Sequence, residues 1–159
     1  MVTKKSKRRI VREKVLQILY AYEMNNDSLQ PLTLIILDDV SDDADKSFAQ
    51  DLIRNVRNNV EELDKRIIHL VTNWEMNRIA LIDKILLRMG ICELLHFPDI
   101  PPKVSINESI EIAKDFSTAG SAKFINGILD AVLAEEKKGG RLNKSGRGLL
   151  EESISPIRQ

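Results

Sequence analysis

Residues 98–127, PDIPPKVSINESIEIAKDFSTAGSAKFING, decide the fold that the sequence predicts, because they mark where helices end and begin. Proline ends a helix and keeps the preceding residue extended, which predicts an extended link at Pro98, Pro101 and Pro102. Ser105 and Glu108 have the spacing of a capping box, in which the two side chains accept each other's backbone N–H groups. Gly120 suits a C-terminal stop and Ser121 a new cap. The stretch therefore predicts a proline-rich loop followed by two helices.

Apolar residues recur every three to four positions through most of the remaining domain, and this is the period of an amphipathic α-helix. In residues 8–24 the apolar stripe consists of Val11, Val15, Ile18, Leu19 and Tyr22. Residues 44–72 give the clearest pattern, and the apolar residues of 78–96 surround more of their helix, which is therefore expected to be central. A short helix is predicted to open at Pro31. No useful β-alternation is present, so the predicted fold class is all-α.

Length and composition predict one domain with a tail. Of the 159 residues, 30% are charged and 43% are hydrophobic, which suits one folded domain of ordinary size. We expect this helical domain to span residues 1–138. Residues 139–159 are glycine-rich and basic with few apolar anchors, so we expect them to be mostly disordered. A marginal helix around Leu149, Leu150 and Ile154 is the alternative.

The charges are distributed unevenly, although the formal net charge is zero. Glu13 is the only acid near the N-terminus, among seven cations: Lys4, Lys5, Lys7, Arg8, Arg9, Arg12 and Lys14. Six aspartates follow between residues 38 and 51. Such asymmetry suggests a local anionic partner that the average charge conceals.

Several classes of protein are disfavoured by the sequence. Cys92 is the only cysteine, which excludes an internal disulfide and suits a reducing compartment. The start lacks the apolar stretch of a signal peptide, and no apolar run approaches the ~18–20 residues of a membrane span. There is no Cys/His cluster, nucleophile motif or phosphate-binding glycine loop. We therefore expect a cytoplasmic protein that is not an enzyme and needs no cofactor or metal, with Cys92 as a buried thiol.

The first predicted helix carries the best binding signal. On a helical wheel Arg9, Arg12 and Tyr20 lie roughly opposite the apolar stripe, where cations can meet phosphates and a tyrosine can stack on a base. A solvated helix end with a fraying basic tail is an equally good interpretation. Leu16 lies in the same outward sector, so either another element covers it or it belongs to a contact surface.

A second basic-aromatic pair, Lys123 and Phe124, occurs in the last predicted helix. Phe124 starts an apolar stripe, which favours a core position over an exposed one, whereas Lys123 should point outward. Gly127 lies within the same helix, where glycine costs about 1 kcal/mol relative to alanine. Close helix packing would explain this glycine, and so would the approach of a ligand.

Arg88 lies in a strongly apolar helix, and a lone buried charge would cost several kcal/mol. A buried or half-buried ion pair is therefore predicted, with Glu93 or Glu108 as its partner.

These residues also resemble a known family, the bacterial transcription antitermination factor NusB. The match covers roughly residues 6–135 in family order: Arg8-Arg9, Arg12-Glu13, Leu19-Tyr20, Ile82-Asp83-Lys84, Leu87-Arg88, Glu93-Leu94, Ile100-Pro101, Lys103-Val104, Ile106-Asn107-Glu108, Ala113-Lys114 and 124–130. The resemblance implies about seven helices in two small packed bundles. It also implies binding of boxA-type single-stranded RNA together with NusE, a small-subunit ribosomal protein, within an RNA polymerase complex that reads through terminators.

The resemblance further implies which residues bind, when carried over position by position. The RNA-binding candidates are Arg8, Arg9, Arg12, Tyr20, Lys123 and Phe124, and the candidates for NusE are Asp83 and Tyr20. The loop 117–120 lacks the acids that some members carry. Some members self-associate, so a homodimer is possible.

Two alternatives remain open. A helical scaffold for proteins would have only nonspecific RNA affinity. The RNA-binding part of certain ribosomal RNA cytosine methyltransferases is similar too, but this chain leaves no room for a cofactor domain.

Overall fold

The computed structural model describes residues 4–26 and 28–150, with only the backbone of residues 73 and 74. Within these residues there is no β-strand, and the α-helices are α1 (Lys7–Asn25), α2 (Leu29–Ile36), α3 (Asp43–Asn58), α4 (Val60–Leu70), α5 (Asn73–Met76), α6 (Leu81–His96), α7 (Pro102–Phe116) and α8 (Ala119–Lys138). Seven of these helices have eight or more residues, and α5 is a single turn. The predicted all-α class with about seven helices is confirmed. No described helix is long and apolar enough to cross a lipid bilayer.

The helices form two groups that share one continuous core. Helix α1 packs against α2 and α3, while α6, α7 and α8 pack against one another, with α4 resting on α6 and α8. Helix α6 also contacts α1 and α3, so it joins the groups. Nearly all of α6 from Asp83 to Leu94 is buried, as its all-round apolar pattern predicts. Leu16 is 2% exposed, so the core covers it and it forms no surface.

Gly90 lets α7 and α8 approach the middle of α6. A Cβ built on Gly90 would lie 2.9 Å from both a methyl carbon of Leu129 and the hydroxyl of Ser109. A larger residue would have to push these side chains away, so glycine sets the spacing of the three helices.

The apolar residues of 44–72 share one helical face in the sequence, but the chain breaks at Asn59 into α3 and α4. The side-chain amide of Asn59 donates to the carbonyl of Asn55 at 2.7 Å. The backbone of Asn59 leaves helical geometry, with φ −114° and ψ 18°, and this separates the two helices. Pro31 does not open α2. That helix begins at Leu29, which leaves Pro31 within the first turn, where proline is still tolerated.

Two predicted helix boundaries are also wrong. Helix α7 begins at Pro102, so Ser105 and Glu108 lie inside the helix and form no capping box. Gly120 stops no helix, because α8 begins at Ala119 after the cap residue Thr118, whose hydroxyl accepts from the backbone N–H of Ser121 at 2.9 Å. In both cases a proline or threonine slightly earlier in the chain already starts the helix.

Residues 139–150, for which the sequence predicts disorder, fold back on the end of α6. The Lys144 ammonium donates to the backbone carbonyls of Glu93 and Phe97 at 3.1 and 2.8 Å. A 3₁₀ helix at Gly146–Leu149 follows, and its buried Gly148 lies against the Pro98 carbonyl. Lys144 caps the C-terminus of α6, and cations stabilise helix C-termini. This contact explains why residues 139–150 adopt a defined structure. The rest of the predicted tail, 151–159 with Ile154, lies outside the described residues.

Candidate RNA and protein interface

The start of α1 places its arginines at three different depths, and each of them meets a carboxylate. Arg8 is the most accessible, with a side chain that is 43% exposed. Its Nε donates to Asp45 of α3 at 2.8 Å, and its guanidinium lies 4.5 Å from the centre of the Phe48 ring. The side chain is therefore held by one hydrogen bond and a cation–π contact. Its two terminal nitrogens form no hydrogen bond with the described residues, so this edge can receive an anion.

Arg9 forms a two-point ion pair with Glu108 of α7. Arg9 Nε and Nη2 donate to the two carboxylate oxygens at 3.0 and 2.8 Å, and the side chains are 25% and 15% exposed. The hydrogen bond with Glu108 raises the pKa of Arg9, although partial burial acts in the opposite direction. This arginine is therefore charged, but an internal carboxylate neutralises it.

Arg12 is buried, so the prediction from the helical wheel that it faces outward is wrong. Its Nε and Nη2 donate to Glu93 of α6 at 2.8 and 2.9 Å, and the two side chains are 5% and 3% exposed. The Ser105 hydroxyl donates to the same carboxylate at 2.7 Å. Burial acts to lower the pKa of Arg12, but the charge and hydrogen bonds of Glu93 outweigh burial, and the pKa is raised. Its guanidinium also lies 5.0 Å from the Phe48 ring centre.

The lysines of this segment are partly neutralised as well. Lys5 lies 2.7 Å from Glu13 and 3.4 Å from Asp115, and Lys14 lies 2.9 Å from Asp39. The basic N-terminus is thus less positive in the folded protein than its composition suggests. Tyr20, by contrast, is 36% exposed on α1, in agreement with the predicted outward position.

Asp83 and Phe124 line one surface cavity of about 510 Å³ between the start of α6 and the start of α8. Phe124 is 36% exposed, so the core position favoured for it is wrong. Asp83 is 6% exposed, and its Oδ2 accepts from the Ser121 hydroxyl at 2.6 Å. Its Oδ1 is also buried but accepts no hydrogen bond from the described residues. The exposed Lys123 precedes Phe124 on the same turn. The cavity thus combines an exposed aromatic side chain with a largely buried carboxylate.

Two other side chains depart from the predictions. Arg88 donates to both oxygens of Asp64 at 2.7 and 3.0 Å and lies 3.7 Å from Glu23, so neither Glu93 nor Glu108 is its partner. Gly127 is exposed, and a Cβ built on it would meet nothing within 4 Å, which excludes close helix packing as its explanation.

Sequence reasoning missed the carboxylates that pair with the arginines of α1, because each of them lies on another helix, distant in the chain. A signal was present for Arg12 itself. It precedes Val15, Leu16 and Leu19 by three, four and seven positions, which places it on their face of the helix.

The fold defines an all-α domain in which an arginine-rich first helix packs on a buried central helix and a surface cavity lies between the starts of α6 and α8. Comparison with known proteins agrees with this class. Residues 9–134 match the NusB family. Transcription antitermination protein NusB of Chloroherpeton thalassium is 48% identical over 146 residues, covering 91% of this chain and 69% of that protein. The Salinibacter ruber protein of the same name is 46% identical over 149 residues, covering 91% and 92%.

Solved structures give the same result. The T. maritima NusB structure aligns with a TM-score of 0.76 and 37% identity, covering 83% of this chain and 94% of that one. A chain in the crystal structure of antitermination factors NusB and NusE in complex with dsRNA shares the fold, with a TM-score of 0.73, 19% identity and coverage of 80% and 96%. The chain belongs to the NusB family, as its sequence motifs predict.

Proposed function

We propose that this protein is a transcription antitermination factor that binds boxA-type sequences in nascent ribosomal RNA together with NusE and promotes read-through by RNA polymerase. Membership of the NusB family supports the general role, and the structure of a family member with NusE and RNA supports the choice of partners. The observation that carries the proposal is the cavity shared by Phe124, a candidate for RNA, and Asp83, a candidate for NusE.

On the RNA side, the arginines differ in what they can contribute. The free outer edge of Arg8 can bind a phosphate without breaking its bond to Asp45. Arg9 has to share its guanidinium with Glu108. Arg12 contributes through its contacts with Glu93 and Phe48, which fix α1 in place. Lys123 supplies a further charge, and Phe124 and Tyr20 supply surfaces for stacking on unpaired bases.

On the protein side, the negative charge of Asp83 at the cavity wall is suited to an N–H group or a cation of NusE. Tyr20 is the second candidate for this contact. Because RNA and NusE would meet at one cavity, each ligand should raise the affinity for the other by the same factor.

Fluorescence anisotropy of a short boxA RNA and a scrambled RNA tests the proposal at physiological salt, with and without NusE. The proposal predicts a preference for boxA RNA that increases with NusE. R8A and F124A should weaken RNA binding. R54A, which removes an exposed arginine paired with Asp51 on α3, is the charge-matched control for R8A. D83N should reduce the enhancement by NusE and leave binding to RNA alone unchanged. Equal affinity of the unmodified protein for boxA RNA and scrambled RNA would reject the proposal.

The alternative is a helical protein scaffold with only nonspecific RNA affinity. The neutralisation of Arg9 and Arg12 by internal carboxylates favours this candidate. It predicts equal binding to boxA and scrambled RNA that disappears at moderate salt. The anisotropy experiment separates the two functions, and light scattering of the free protein tests the possible homodimer.

A further inference from the structure

The ion pair between Arg9 and Glu108 occupies one of the hydrogen-bonding edges of the arginine that an RNA phosphate could use. A guanidinium binds carboxylate and phosphate alike, through two parallel N–H groups on one edge. Glu108 accepts from Nε and Nη2, which form one such edge, at 3.0 and 2.8 Å. A phosphate that bound Arg9 through this edge would have to displace the carboxylate.

We propose that Glu108 is an internal competitor of RNA phosphates for Arg9, and that it lowers the affinity of the protein for RNA in general. The inference rests on the proposed function, because it requires Arg9 to contact RNA. A competitor of this kind weakens binding to RNA that offers only its backbone, so tight binding then depends on the further contacts that boxA RNA makes at Tyr20 and Phe124.

The surroundings of Glu108 allow it to release Arg9. Its side chain is 15% exposed, so water can solvate it after release. Its Oε1 also lies 3.9 Å from Nη1 of Arg12, and this second cation would still balance its charge. Glu93 has no such freedom. It is 3% exposed and is bonded to both Arg12 and Ser105. The exchange is therefore confined to the outer of the two pairs.

The test is the substitution Glu108→Gln, which keeps the size of the side chain and one acceptor but removes its charge. Anisotropy titrations with boxA and scrambled RNA should show about two- to fivefold tighter binding to both, the range expected from one partly exposed ion pair. The dependence of log Kd on log salt concentration should steepen by about 0.7 for the one added phosphate contact to single-stranded RNA.

Glu111→Gln is the matched control. Glu111 lies one turn further along α7, its side chain is 43% exposed, and it pairs with Lys114 at 3.0 Å and not directly with Arg9. This substitution makes the same change in net charge. Because Glu111 acts on Arg9 only through its charge and not through a hydrogen bond, it should change the RNA affinity and the salt dependence much less than Glu108→Gln does. An equal effect of both substitutions would show that net charge alone is responsible, and would overturn the inference.

A double-mutant cycle with Arg9→Ala shows whether the effect passes through Arg9. In the Arg9→Ala background, Glu108→Gln should give none of the gain seen alone. An undiminished gain, or weaker binding by Glu108→Gln alone, would contradict competition. These outcomes are separate from the proposed function, which is tested by the boxA preference of the unmodified protein.

A measurement on the unmodified protein keeps the inference testable even when Glu108→Gln does not fold. The Nε–H resonance of Arg9 in a ¹⁵N NMR spectrum reports its hydrogen bond to Glu108. Titration with RNA should shift this resonance, together with the ¹³C resonance of the Glu108 carboxylate, as the bond breaks. A carboxylate resonance that stays unchanged at saturating RNA would refute the exchange.

Discussion

Replacing Arg12 by methionine tests whether this residue mainly supports the fold. The substitution removes the two hydrogen bonds that Glu93 accepts at 2.8 and 2.9 Å and leaves its carboxylate, which is 3% exposed, with the hydroxyl of Ser105. Removing one partner of a buried ion pair costs about 3–5 kcal/mol, because the other charge stays buried without compensation. Since 1 kcal/mol shifts the melting temperature of a domain of this size by about 2–4 °C, the expected fall is about 6–20 °C.

Urea unfolding followed by circular dichroism measures this loss, with the m-value checking that the transition stays two-state. Arg8→Met is the matched control, because it makes the same chemical change on the same helix at a side chain that is 43% exposed. It should cost at most about 1 kcal/mol. Arg12→Met combined with Glu93→Gln should be less destabilising than Arg12→Met alone. A loss for Arg12→Met no larger than that for Arg8→Met would refute the argument that the pair is buried and essential.

Three further predictions concern other positions. Gly148→Ala should detach residues 139–150, because the new Cβ would lie 2.0 Å from the Pro98 carbonyl oxygen, and hydrogen exchange should then accelerate in this segment. Gly127→Ala should raise the free energy of unfolding by up to about 1 kcal/mol, since the site is open and alanine favours the helix. Cys92 should resist alkylation in the folded protein, because burial raises the pKa of its thiol and excludes reagent, as mass spectrometry after iodoacetamide treatment would show.

Each of these predictions has its own control. Asn143→Ala, at an exposed position of the same segment, should leave hydrogen exchange unchanged, and equal acceleration would discount the clash at Gly148. A Gly127→Ala protein no more stable than the original would argue against open space at that position, while a simultaneous loss of RNA affinity would indicate that a ligand approaches the glycine. Cys92 should react completely in urea, and rapid reaction without urea would show that the thiol is accessible.

The helices could be predicted from the sequence because their apolar residues recur with the helical period. The boundaries between helices were harder to predict. Asn59 interrupts a regular apolar pattern where its backbone leaves helical geometry, and Pro102 starts α7 before the apparent capping box. Such local competition between caps and helix interior depends on small energies, about 1 kcal/mol each, which periodicity does not contain.

The candidate site was only partly predictable, because its properties depend on contacts between distant helices. The exposure of Tyr20 follows from the helical wheel, whereas the burial of Arg12 follows from the width of the apolar face. The pairing of Arg9 with Glu108 requires α1 and α7 to meet, which local patterns do not specify. The sequence likewise contained no sign that Asp83 and Phe124 would share a cavity.

During translation, the carboxylates that neutralise the arginines of α1 are synthesised well after the arginines themselves. Asp45, Glu93 and Glu108 follow their arginines by 37, 81 and 99 residues. A ribosome adds about 5–20 residues per second, so the longest of these intervals lasts about 5–20 s. Until then α1 is a strongly cationic nascent segment, and it becomes nearly neutral only when α6 and α7 have been synthesised and have folded against it.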